Sequence, residues 1–131
     1  MSMGLKELVA EARRTVTEIS PDRARSSVED GTALVLDVRE PSEFAERHIA
    51  GAVNIPRGML ELRAAVDSPV ADASLTARAD GEVLVYCTKS PSARSLLAAQ
   101  TLARLGYEKV SVLDGGLNAW ADAGLPTEEG S

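Results

Sequence analysis

The sequence predicts an α/β domain built on a mostly parallel sheet. Short apolar runs alternate with amphipathic stretches along the chain, as strands and crossover helices do in that class. Two runs, Ala33–Val38 and Val83–Tyr86, are apolar on both faces, which suits strands covered by helices on either side. A length of 131 residues holds one such domain with a substantial core and leaves little room for a second.

Leu5, Leu8, Val9 and Ala12 recur at helical spacing and open the chain with a short amphipathic helix. Val16 to Ile19 fits a first strand. Ser20, Pro21 and Asp22 then start a helix, with Ser20 as N-cap and Pro21 in the first turn. After the strand Ala33–Val38, the segment Glu40-Pro41-Ser42-Glu43-Phe44 begins another helix with acidic residues in its first turn. Gly51 to Pro56 reads as a brief strand stopped by proline, and Met59 to Val66 as a helix. Ser68 to Gly81 is the least patterned stretch and reads as surface connection with one helical turn. A helix over Ser95–Leu105, closed by Gly106, follows the strand Val83–Tyr86. Val110–Leu113 is a last strand, and Gly115-Gly116 leads into a short helix through Trp120. The expected organisation is a helical extension over 1–15, the main domain over 16–126 and a frayed tail over 127–131.

Chemistry concentrates at one point. In open parallel sheets ligands sit at the carboxyl ends of strands, and Cys87, the only cysteine, occupies such an end. A turn between a strand and a helix collects unpaired backbone N–H groups beside the positive end of the helix dipole. A thiol held there is expected to ionise more readily than a free cysteine. Lys89 and Arg94 add cationic charge on the same loop. The combination describes a nucleophilic thiolate and an anion pocket in one place.

Composition narrows the partners. A net charge of −6 argues against non-specific binding to nucleic acid or an anionic membrane, so any positive field at Cys87 is made locally. No apolar stretch is long enough to span a bilayer, and the N-terminus has no signal-type hydrophobic region, which predicts a cytoplasmic location. With one cysteine there is no internal disulfide, no cysteine-based zinc cluster and no resolving thiol within the chain. A covalent intermediate on Cys87 must be discharged by an outside molecule. His48, the only histidine, leaves a Cys–His pair open, since sequence alone does not place the two together.

Three ordered phrases resemble the single-domain rhodaneses, the sulfurtransferase family. The first is Leu36-Asp37-Val38-Arg39-Glu40-Pro41-Ser42-Glu43-Phe44 with His48-Ile49-Ala50-Gly51-Ala52-Val53-Asn54-Ile55-Pro56. The second is Val85-Tyr86-Cys87, then Arg94-Ser95-Leu96-Leu97-Ala98-Ala99 and Leu105-Gly106-Tyr107. The third is Leu113-Asp114-Gly115-Gly116-Leu117-Asn118-Ala119-Trp120, ending near Gly124-Leu125-Pro126. The resemblance implies a three-layer α/β fold with a central, mostly parallel five-stranded sheet flanked by helices. It implies that Cys87 attacks a small sulfane-sulfur donor such as thiosulfate and becomes a persulfide. A thiol, a partner protein's cysteine or cyanide then takes the sulfur, with no cofactor and no metal.

Mapped onto this chain, the anion-binding loop is Thr88, Lys89, Ser90, Ser92, Ala93 and Arg94. Arg94 is expected either to orient anionic donors or to tie the loop to the domain. Ser90, Ser92 and Ser95 could donate to a substrate oxyanion or cap the helix, and capping or packing is the expectation for Ser95. Asp37 and Arg39 could border the pocket, with Arg39 helping to receive an anion, or serve as a charge pair or turn-fixing group, and His48 is expected to be structural. The loop departs from the family pattern: six residues separate Cys87 from Arg94, where rhodaneses usually have four. Related phosphatases and arsenate reductases of this fold use five. This loop also lacks glycine, and Pro91 has no N–H to offer. Two alternatives therefore stand beside sulfur transfer: an anion-processing enzyme of the phosphatase or arsenate-reductase kind, and a non-catalytic binding or sensing module.

Overall fold

The computed structural model describes residues 2–131. Along the chain α1 (Leu5–Thr15) leads into β1 (Thr17–Ile19), α2 (Pro21–Glu29), β2 (Ala33–Asp37) and α3 (Pro41–Glu46). Two brief strands follow, β3 (His48–Ile49) and β4 (Val53–Asn54), then a 3-10 turn over Arg57–Met59 with α4 (Leu60–Ala64) and α5 (Ala73–Thr76). The second half runs β5 (Glu82–Tyr86), α6 (Ala93–Arg104), β6 (Lys109–Leu113), α7 (Gly116–Asp122) and β7 (Thr127–Glu128).

Five strands form a parallel sheet in the order β1-β6-β5-β2-β4. β5 is central, paired with β2 from Ala33↔Glu82 to Asp37↔Tyr86 and with β6 from Glu82↔Lys109 to Val85↔Val112. Alternation along β5 divides the core. Val83 and Val85 face one side with Val9 and Ala12 of α1, Leu60 of α4 and Leu96 and Leu102 of α6. Leu84 and Tyr86 face the other with Ala24 of α2 and Leu117 and Trp120 of α7. Helices on both faces make three layers, and the strand runs that are apolar on both faces are explained by that burial.

Local signals behave as their chemistry requires. Ser20 Oγ accepts the Arg23 N–H at 3.3 Å, capping α2. Glu40 and Glu43 close a reciprocal capping box at the start of α3, with the Glu40 N–H donated to Glu43 Oε1 at 2.9 Å. The unpatterned stretch carries its one helical turn at α5, where Asp72 caps and Leu75 is fully buried. The helix expected over Met59–Val66 is shorter: it begins as the 3-10 turn and ends when Ala65 turns extended at ψ 129.

The first helix and the last strand are both bound into the domain. The N-terminal helix, expected as an extension, buries Val9 and Ala12 in the main core. The tail expected to fray over 127–131 begins with a paired strand. Thr127 and Glu128 pair antiparallel with Ile49 and His48. Glu128 Oε1 also accepts the Gly51 N–H at 3.1 Å, and the Gly130 N–H reaches the Ala45 carbonyl at 2.8 Å. These partners lie about eighty residues back along the chain, out of reach of any local reading.

Candidate active site

Central position places Cys87 where β5 leaves the sheet, and the side chain is buried to 3% exposure. Behind it, α7 holds the backbone. The Leu117 N–H binds the Cys87 carbonyl at 2.9 Å, and the Asn118 N–H binds the Thr88 carbonyl at 3.0 Å. Because N–H and C=O point oppositely across a trans peptide, the N–H groups of Thr88 and Lys89 are turned away from α7. This packing needs glycine at 116. Its φ is +57, and a Cβ there would sit 2.5 Å from the Cys87 carbonyl oxygen and 2.8 Å from the Thr88 carbonyl carbon.

The loop then closes on α6. The Ser92 N–H returns to the Lys89 carbonyl at 2.9 Å, and Ser92 turns left-handed at φ 63 to start the helix two residues earlier than expected. Its carbonyl accepts the first helical bond, from Leu96 at 2.8 Å. The N–H groups of Thr88, Lys89, Ser90, Ala93, Arg94 and Ser95 have no acceptor among the described residues. Those of the first helical turn carry the positive end of the α6 dipole.

Ser95 is the hydrogen-bond partner of the sulfur among the described residues. Its Oγ is 3.3 Å from Cys87 Sγ and 3.0 Å from the Ser92 carbonyl oxygen. A hydroxyl so placed can give its proton to the carbonyl while accepting from a thiol, or turn and donate to a thiolate. Ser92 Oγ is buried and has no partner among the described residues.

Arg94 is held. Its Nη1 donates to Glu43 Oε1 at 2.8 Å, and its Nη2 donates to Glu43 Oε2 and Thr88 Oγ1, each at 3.2 Å. The hydrogen bond to Glu43 keeps the guanidinium above its ordinary value, and the same bond keeps Glu43 below the usual glutamate range. Arg13 of α1 braces the loop from outside, donating to the Pro91 carbonyl at 2.9 Å and to Glu18 at 3.0 Å. An open depression of about 210 Å³ remains over Cys87, walled by Thr88 to Pro91, Ala93 and Arg94. A larger one, about 420 Å³, sits at the amino ends of β5 and β6 around Glu82 and Lys109; it lies at the opposite end of the strands from Cys87, so the smaller depression, which the thiol lines, is the candidate site.

These features have relatives. The rhodanese-like domain profile matches residues 20–123. The chain belongs to the rhodanese-like family. A thiosulfate sulfurtransferase, GlpE of Actinobacillus succinogenes, is 32% identical over 86% of this chain and 90% of its own length. Two longer cyanobacterial relatives, from Synechococcus elongatus and Synechocystis, are each 34% identical, and the chain spans 41% and 60% of their lengths. Among solved structures, a Rhodopseudomonas palustris protein of unknown function, described as a possible tyrosine phosphatase, superposes with TM-score 0.87 at 30% identity, covering 98% of this chain and 96% of that one. A thiosulfate sulfurtransferase from Pseudomonas aeruginosa gives TM-score 0.78 at 25% identity, covering 97% of this chain and 23% of that protein.

Within this rhodanese-like domain the expected site residues separate into two groups. Cys87, Thr88, Lys89, Ser90, Ala93 and Arg94 come together around the depression, and Ser92 is buried and does not line it. Asp37 and Arg39 do not border it. They are buried to 0% and 4% exposure and bonded to each other at 2.9 Å, with Arg39 also on the Arg47 carbonyl at 2.6 Å. Burial works against the Arg39 charge, but the hydrogen bonds and charge of Asp37 outweigh it and hold the guanidinium above its ordinary value. His48 Nδ1 donates to the Phe44 carbonyl at 2.7 Å, its ring stacks on Phe44 at 3.6 Å, and Nε2 faces Glu128 at 3.1 Å. It stands among structural partners and does not line the depression at Cys87. Sequence reasoning missed Glu43, Arg13 and the closeness of Ser95 and Gly116; only the Gly115-Gly116 doublet carried a visible signal. Among the described residues no cluster of His, Cys, Asp or Glu could hold a metal ion.

Proposed function

We propose that the chain is a rhodanese-type sulfurtransferase that carries sulfane sulfur as a persulfide on Cys87. The thiolate attacks the outer sulfur of thiosulfate, the sulfur–sulfur bond breaks, and sulfite leaves with the electron pair. The terminal sulfur of the persulfide then passes to cyanide, giving thiocyanate, or to an external thiolate, small or on a partner protein. An outside acceptor is required because the chain has no second cysteine. A working thiol is kept reduced in a reducing compartment such as the cytoplasm, which is where this reading places the protein.

The observation that carries this reading is the backbone around Cys87. The Cys87 and Thr88 carbonyls are bonded to α7, which leaves the acceptor-free N–H groups of the loop and the α6 dipole available to stabilise a thiolate and then a persulfide. Ser95 supplies a hydroxyl that follows the charge on sulfur. Arg94, engaged by Glu43, ties the loop to α3. The GlpE relative's name supports the reaction class.

A phosphatase reading draws on the Rhodopseudomonas neighbour's description. It fits less well, because phosphoryl transfer needs a full ring of N–H donors around the transferring group, and Pro91 offers no N–H. Thiocyanate formation from thiosulfate and cyanide, measured beside aryl-phosphate hydrolysis, separates the readings. Sulfur transfer that disappears in Cys87→Ser is expected. Hydrolysis of the phosphate without sulfur transfer would favour the phosphatase, and neither activity would favour a binding module.

A further inference from the structure

We propose that Glu43 sets which sulfur donors the site accepts: by holding Arg94 it removes one positive charge from the pocket and favours donors of single negative charge over the thiosulfate dianion. The inference rests on the sulfurtransferase reading and names the donor class for it.

The argument is a balance of charges around Cys87. Arg94 is the arginine nearest the sulfur in sequence and lines the depression, yet its charge is paired with Glu43 through one hydrogen bond from each terminal nitrogen. Arg13, which reaches the loop at the Pro91 carbonyl, is paired with Glu18. Arg39 is enclosed with Asp37. Each arginine around the loop thus arrives with a carboxylate, and among the described residues Lys89 is the loop cation without one. Backbone N–H groups and one lysine suit a monoanion. A dianion would also meet the Glu43 carboxylate behind Arg94.

Thiosulfate and benzenethiosulfonate transfer sulfur by the same step and differ by one unit of charge. In each, the Cys87 thiolate forms a bond to the sulfane sulfur and the donor's S–S bond breaks. Sulfite or benzenesulfinate leaves with the electron pair, and an anionic persulfide remains on Cys87. A change in pocket charge therefore moves the two donors unequally.

Glu43→Gln is the decisive variant, because glutamine keeps an oxygen for the Glu40 N–H of the capping box while releasing the charge of Arg94. Since Cys87 is the only cysteine, its alkylation by anionic iodoacetate relative to neutral iodoacetamide reads the local charge without any sulfur transfer. In Glu43→Gln that rate ratio should rise, on the order of tenfold for one uncovered charge a few ångströms away. Lys89→Met should lower it. The kcat/KM ratio of thiosulfate to benzenethiosulfonate should rise with Glu43→Gln in the same sense, mainly through the KM of thiosulfate. A merely structural Glu43 would slow both reagents and both donors together; unchanged ratios overturn the inference. If the alkylation ratio moves as stated but neither donor delivers sulfur, the charge account of Glu43 stands and the sulfurtransferase reading falls.

Discussion

Asp37–Arg39 and Glu43–Arg94 are both two-pronged arginine–carboxylate pairs near the carboxyl ends of the sheet, but only one of them has left water. Arg39 and Asp37 are exposed to 4% and 0%, whereas Arg94 and Glu43 keep 42% and 34%. The buried pair also fixes backbone around it: Asp37 accepts the Arg39 N–H, and Asn54 Nδ2 binds the carbonyls of both residues. The half-exposed pair instead joins α3 to the loop over Cys87. Identical chemistry thus serves the fold in one place and the site in the other, and solvent decides which.

The comparison breaks most sharply at Asp37. Asp37→Asn leaves the Arg39 charge buried without its counter-ion, which should cost about 3–5 kcal/mol of stability in urea denaturation. A cost near that of a surface pair would remove the distinction. Gly116→Ala comes next, because its Cβ meets backbone rather than a movable side chain. Strain of order 1–3 kcal/mol is expected. Displacing the Cys87 and Thr88 carbonyls should lower kcat for sulfur transfer by on the order of tenfold to a hundredfold. Stability lost without such a fall in kcat would separate the α7 contact from the site.

Glu43→Gln should change stability least, by about 1 kcal/mol or less, since water screens the pair. Its pH dependence has a definite sign. Glu43 titrates lower in the folded protein than in the unfolded chain. The pair's contribution is therefore complete above the unfolded value of about 4.3 and fades as acid takes pH down through the folded value. Denaturation of both proteins across that range should show their stabilities converging at low pH. A difference that grows with acid would contradict the assignment.

What the sequence disclosed follows from how far each contact reaches. The strand, thiol, polar turn and helix from Val83 to Leu105 are contiguous, so periodicity and turn chemistry reveal them directly. Arg94 was visible as a loop cation, but its occupancy by Glu43 was not, since that residue arrives on α3 from 51 positions away. Arg13 reaches Pro91 across 78 positions. Asp37 and Arg39 read equally as pocket border or charge pair, because a strand end looks the same in sequence whether or not other elements cover it. The pairing at the start of the tail was not legible because two-residue strands such as β3 and β7 carry no period; only tertiary pairing defines them. Loop length was legible as six residues, while the Glu43 clamp that accompanies it was not.

The central claim is that Cys87 carries the transferred sulfur, and intact mass tests it most directly. The reduced protein is mixed with thiosulfate, freed of excess donor and weighed beside Cys87→Ser. The account predicts a gain of one sulfur atom that is lost on adding thiol and absent from the variant. A sulfur gained equally by Cys87→Ser, or no gain from thiosulfate and none from benzenethiosulfonate, would contradict it.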